Sequence, residues 1–156
     1  MTLREFLLKN APRDEILRRR WREDWVAAVD RLLAQLRAWL ADAGSAELLD
    51  LEPLDFEKRE QGLGAYHIQG LAINFGERTV KVLPVGRTVL AHLGPYAEAG
   101  HENAEGRVDI TNGGYKYFLY RKLTHAGEQW LVQDERSEMR PLDRERFEAI
   151  LQELLS

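Results

Sequence analysis

The stretch GHENAEGRVD, Gly100 to Asp109, gathers one histidine, three carboxylates and two glycines within ten residues. It approaches the H-E-x-x-H pattern of zinc hydrolases, in which a helix sets two histidines one turn apart and the Glu beside a metal-bound water. Here Glu105 stands at the second histidine position, and Gly100 and Gly106 enclose only five residues, too few for that helix. The expectation is a solvated connection between strands. A catalytic alternative keeps His101, Glu102 and Asp109 as the centre of a metal-assisted hydrolase or nuclease, with His67 or His92 brought in from other strands. His67 and His92 lie in strand-like patterns and His125 precedes a turn; none is at ligand spacing from another.

Asp109 followed by the strand YKYFLYRK resembles the order of restriction-like nucleases, which place an acid and then an acid-x-Lys strand. The second acid is missing, since Lys116 and Lys122 have Tyr, Phe and Arg around them. Carboxylates converging on an ion are what metal-dependent cleavage requires. There is no G-x-S-x-G, no phosphate-cradling glycine loop and no dinucleotide fingerprint. The chain has no cysteine, which excludes disulfides, thiolate zinc sites, iron–sulfur clusters and cysteine nucleophiles. No catalytic residue, metal or cofactor is therefore assigned.

The second constellation is RDEILRRRWRED, which places Arg18, Arg19, Arg20 and Arg22 around Trp21. On a helical wheel Arg19 and Arg20 point to solvent, while Arg18 and Arg22 lie along the apolar side. One account pairs those two with the acid-rich segment Asp50, Glu52, Asp55 and Glu57 while their stems cover apolar surface. The other makes Arg18, Arg19, Trp21 and Arg22 an interaction surface, with Trp21 as its aromatic anchor. Asp14, Glu15, Glu23 and Asp24 dilute the cluster, which disfavours nucleic acid.

These residues need elements to position them. Thr2 and Glu5 form a capping-box pattern that starts a short helix, which Asn10 and Pro12 are expected to interrupt. A long helix follows to Ala43, with Trp25, Val29, Leu32, Leu36 and Trp39 on one stripe beside Val26, Leu33 and Leu40. Gly44 ends it. From Leu49 the period becomes two. DLEPLDFE reads as an edge strand because of Pro53, and AYHIQGLAINF changes phase at Gln69-Gly70, which reads as a bulge. RTVKVLPV, TVLAHL, RVDIT, YKYFLYRKL and QWLVQ continue the strands, with turns at Gly76 and Asn112-Gly113-Gly114. Asp143 then caps a helix whose stripe is Phe147, Ile150, Leu151, Leu154 and Leu155.

Short turns require antiparallel pairing. The expected class is α+β: an antiparallel sheet of about six or seven strands, with a long N-terminal helix and a C-terminal helix packed on one face. One domain spans residues 1–156, as a helical segment 1–43, a β meander 48–134 and a helix 142–155. Net charge is −4, with +2 over residues 1–43 and −6 over the rest. MTLREFLLKN lacks a signal-peptide core and no apolar run matches a membrane span, so a cytoplasmic location is expected. The functional expectation is a non-catalytic binding or accessory module, acting through a protein partner, self-association as a dimer, or a small ligand. The metal-assisted hydrolase or nuclease and nucleic-acid binding through the basic helix are the alternatives. The aromatic strand Tyr115, Tyr117, Phe118 and Tyr120 puts residues on both sheet faces, leaving the second face either exposed or folded into another core.

Overall fold

Thr2 accepts the backbone N–H of Glu5 while the Glu5 carboxylate accepts that of Thr2, and this reciprocal cap opens helix α1 (Leu3–Asp42). The computed structural model describes residues 1–87, 89–90, 103–134 and 139–156. Helix α1 runs through Asn10 and Pro12 without a break, contrary to the expected interruption. A proline inside a helix removes one hydrogen bond, but its ring holds a helical φ, and the flanking Leu, Arg, Glu and Lys residues are good helix formers. Forty residues make the helix about 60 Å long. The chain leaves it at Ala43, with Gly44 in the left-handed region at φ 71°.

Strands β1 (Asp50–Glu60), β2 (Gly64–Phe75) and β3 (Arg78–Gly86) follow as consecutive hairpins. Strands β4 (Val89–Leu90) and β5 (Asn103–Ala104) pair separately with each other. Strands β6 (Arg107–Thr111), β7 (Lys116–Thr124), β8 (Gly127–Asp134) and β9 (Arg140–Pro141) complete a seven-stranded antiparallel sheet in the order β1-β2-β3-β6-β7-β8-β9. Helix α2 (Arg144–Leu154) closes the chain, and its N-cap Asp143 accepts the N–H of Arg146 at 2.7 Å.

One core joins both helices to one sheet face. Trp25, Val29, Leu32 and Leu36 of α1 and Phe147, Ile150 and Leu151 of α2 meet Ile73, Val80, Val82, Ile110 and Leu119. The α+β arrangement follows from that burial: two amphipathic helices share the face that the sheet's alternation makes apolar. On β7, Tyr117 joins this core while Phe118 and Tyr120 belong to a second cluster with Ala104, Leu131 and Met139. The second face is thus folded into a smaller core around Leu131.

Two glycines shape the sheet. The ladder between β1 and β2 keeps one register through Asp55↔Gln69 and Leu54↔Gly70, so the expected bulge at Gln69-Gly70 is absent from it. The buried alternation of the strand nevertheless changes at Gly70, where a Cβ would lie 2.5 Å from the Val82 carbonyl oxygen and 2.9 Å from the Phe56 ring. Pairing with β3 begins only beyond that point, at Leu71↔Val82. Gly106, at φ 152°, lies flat against Trp25, and a Cβ there would meet the indole at 2.0 Å. Trp25 in turn packs against Trp130, with ring centroids 6.2 Å apart.

Gly106→Ala is expected to destabilise the fold by about 3 kcal/mol, because both the backbone and the Trp25 ring must shift. Gly44→Ala, where the left-handed backbone is strained but nothing lies within 4 Å, is expected to cost about 1 kcal/mol. Chemical denaturation of both variants checks this; equal losses would contradict the packing role of Gly106.

Candidate functional site

Strand alternation puts Arg121 on the inward face of β7 beside Tyr117 and Leu119. It is 1% exposed, the most deeply buried charge among the described residues. A guanidinium in that position needs acceptors on several sides, and three elements supply them. From α1, Asp24 accepts Nη1 at 2.8 Å and Nη2 at 3.1 Å. From β8, Glu128 accepts Nε at 2.7 Å. From the bend before β6, the Glu105 carbonyl accepts Nη1 at 3.5 Å, and the backbone N–H of Arg121 donates to the neighbouring Gly106 carbonyl at 2.9 Å. Arg31 of α1 extends the cluster, donating to both Glu128 oxygens at 2.9 and 3.3 Å. Arg87, just past β3, lies 3.9 Å from Asp24 and 5.4 Å from the Trp21 ring centroid. Its own N–H donates to the carboxylate of Glu60, which also accepts the Tyr66 hydroxyl.

At the centre of the cluster Arg121, Asp24 and Glu128 satisfy one another, whereas Arg87 Nε, at its margin, is buried without a hydrogen-bond partner among the described residues. Hydrogen bonds from Arg121 hold the Asp24 carboxyl below the ordinary carboxylate range, against a smaller upward push from burial. Burial pushes Glu128 up, but its bonds with Arg31 and Arg121 outweigh this and hold it low. Burial, then the adjacent Glu60, raises the Tyr66 hydroxyl. Fixed, mutually satisfied charges of this kind orient elements and offer a substrate little.

The expected catalytic residues do not assemble among the described residues. His92, His101 and Glu102 lie outside them. Asp109 is buried on β6, but both its oxygens accept from Arg107 at 2.8 and 2.9 Å, and that guanidinium stacks 4.5 Å from the Phe118 ring centroid. His67 is exposed on β2, two strands away in the sheet, where it lines a groove of about 680 Å³ with Asp30, Arg37 and Asp55. No three His, Asp or Glu side chains among the described residues are placed to hold a metal ion.

The arginine cluster divides at Trp21. Arg22 turns inward, donating to the Leu63 carbonyl at 2.6 Å and lying 3.5 Å from Glu15. Its partner is therefore the β1–β2 turn rather than the acids of β1. Arg18 and Arg19 are exposed, with Arg19 3.7 Å from Glu23. Trp21 is 41% exposed. Every described side chain of residues 1–6 and 15–20 is exposed, including Leu3, Phe6, Ile16 and Leu17. Helix α1 thus leaves the sheet near Asp24 and projects as an arm with apolar residues in the open. No described helix is long and apolar enough to cross a membrane.

Sequence reasoning missed Arg121, Asp24 and Glu128. The available signal was phase: in YKYFLYRK, Arg121 falls on the same face as Tyr117 and Leu119.

Arg121→Met is expected to cost about 2–4 kcal/mol, somewhat less than is usual for breaking a fully buried pair, because Asp24 and Glu128 keep some water. Asp24 and Glu128 have folded-state pKa values below their unfolded ones, so their contribution is present above the ordinary carboxylate range and lost as pH falls through the folded values. Thermal stability of the wild type is expected to fall more steeply below about pH 4 than that of Asp24→Asn, which lacks the Asp24 share of this contribution. Parallel melts that coincide in shape would contradict it.

Comparison with protein-family models, with curated proteins and with solved structures gives no match for this chain.

Proposed function

We propose that this chain is a non-catalytic interaction module that engages a protein through the projecting N-terminal half of helix α1. One observation carries this reading: the apolar stripe of a continuous helix is buried from Trp25 to Leu40, whereas the described side chains up to Trp21 are exposed and yet include large apolar residues. Leu3 is 72% exposed, Ile16 56% and Phe6 50%. Polar residues would suffice if the arm only met water. At 100° per residue Leu3, Phe6, Leu17 and Trp21 fall within about 60° of one another, the stripe with which a helix enters a groove. Trp21 and the exposed arginines are the residue types that interface centres favour. The buried ion cluster at the base of the arm fixes its direction, which lowers the entropy lost on docking.

A diazirine-bearing residue placed at Leu17 of the full chain, irradiated in the native cell, is expected to give discrete protein adducts. The same residue at Lys116, exposed on β7, is expected to give none of them. No protein adduct at Leu17, or the same adducts at both positions, would overturn the reading.

A further inference from the structure

The end of the molecule opposite the arm carries a second exposed apolar surface. A groove of about 670 Å³ lies between the C-terminal ends of α1 and α2, and Leu40, Leu48, Leu49, Phe75, Leu151 and Leu155 line it. Leu48 is 69% exposed and Phe75 45%. The charged residues of the lining, Glu148 and Arg78, offset each other, and two further features bias its surroundings toward negative charge. Both helices point their C-terminal ends at it, and neither has a basic residue in its last turn. Exposed acids adjoin its lining residues: Asp42 precedes Ala43, Glu47 precedes Leu48, Asp50 follows Leu49 and Glu77 precedes Arg78. Arg78 answers part of this charge by donating to the Leu155 carbonyl.

The arm has the opposite sign. Residues 1–22 hold seven Lys or Arg against three Asp or Glu, a net +4; the remaining residues hold fifteen against twenty-three, a net −8. The arm cannot fill the groove of its own chain. Both sit on one continuous helix, and Leu17 and Leu40 are separated along it by about 35 Å. Nor do two arms suit each other. Arg4 and Arg18 flank the apolar stripe on one side and Arg20 on the other, so facing arms would bring arginines together.

We propose that the basic apolar arm of one copy seats in the acidic-rimmed apolar groove of a second copy. This rests on the arm being the interaction surface and names what covers it. The contact joins unlike surfaces, so it closes as a reciprocal pair or a ring, or continues as a chain. Apolar burial supplies the attraction, and the opposed charges select the partner and speed the encounter.

Sedimentation velocity and light scattering of the full chain, from low to high micromolar, test it. The wild type is expected to exceed its 18.0 kDa chain mass as concentration rises, and less so at high salt. Leu17→Glu on the arm and Phe75→Glu in the groove are each expected to weaken association at least about tenfold. Both positions are exposed, and circular dichroism melts verify that the variants fold. An equimolar mixture of the two variants is expected to recover a complex of twice the chain mass, because each supplies the surface the other lacks. A wild type that stays monomeric throughout, or an assembly insensitive to Phe75→Glu, overturns the proposal. A monomer that floats with phosphatidylserine vesicles also overturns it and gives the arm to a lipid surface. Leu17 adducts with some other protein, beside a monomeric wild type, overturn the self-docking alone and leave the arm as the interaction surface.

Discussion

Arg121 is the tie between the two layers of this protein. Its guanidinium is withdrawn from water, so its position is dictated by its acceptors, and those come from the long helix and the adjacent strand. A buried ion pair is a poor source of net stability but a demanding one in geometry, because a displaced partner leaves a charge unmatched. Apolar packing between Leu32, Leu36 and the sheet would tolerate sliding by a fraction of a turn; the two bonds of Asp24 to the buried Arg121 guanidinium would not. The helix therefore sits on the sheet in one register. That register decides which part of α1 is covered and which part stands clear.

Trp25 and Asp24, neighbours in sequence, divide the work at this junction. The indole fills the space above Gly106 and beside Trp130, while the carboxylate one residue earlier reaches Arg121. Trp21, one turn further out, is half in water and carries the Arg87 guanidinium on its ring. Over these two turns the helix passes from core to rim to solvent. Such a boundary gives an exposed helix a rigid base, so its stripe of Leu3, Phe6, Leu17 and Trp21 is presented in a fixed direction.

The layers were legible in the amino-acid sequence because they rest on periodicity. The α1 stripe from Trp25 to Leu40, the α2 stripe from Phe147, the Asp143 cap and the antiparallel strands all appear where residue spacing puts them. Periodicity says which residues face inward but not why a strand's alternation changes. Gly70 therefore read as a bulge, although it marks a close approach of neighbouring groups within an unbroken ladder. Pro12 misled for a related reason: local preference predicts a stop, whereas the helix continues on both sides of it. The basic cluster was legible as a cluster, and its division at Trp21 was not, since only the position of the Leu63 carbonyl turns Arg22 inward. Arg121 was hidden because its acceptors lie far away in sequence, 97 residues in the case of Asp24. The His67 and Asp109 pairing failed because sheet order, which spacing does not reveal, puts two strands' width between them.

The outer strand β1 has a further consequence. An unpaired strand edge is normally a template for adding more strands, and long flat edges invite aggregation. Here the free edge carries Asp50, Glu52, Asp55 and Glu57, all exposed, and Pro53, whose ring offers no N–H. An incoming β-strand would meet a row of like charges and a gap in the hydrogen-bond ladder. The opposite edge, β9, is only two residues long and includes Pro141. Both margins of the sheet thus resist fibrous stacking, and a protein that shows water so many apolar side chains along its arm stays guarded against the commonest route to amyloid.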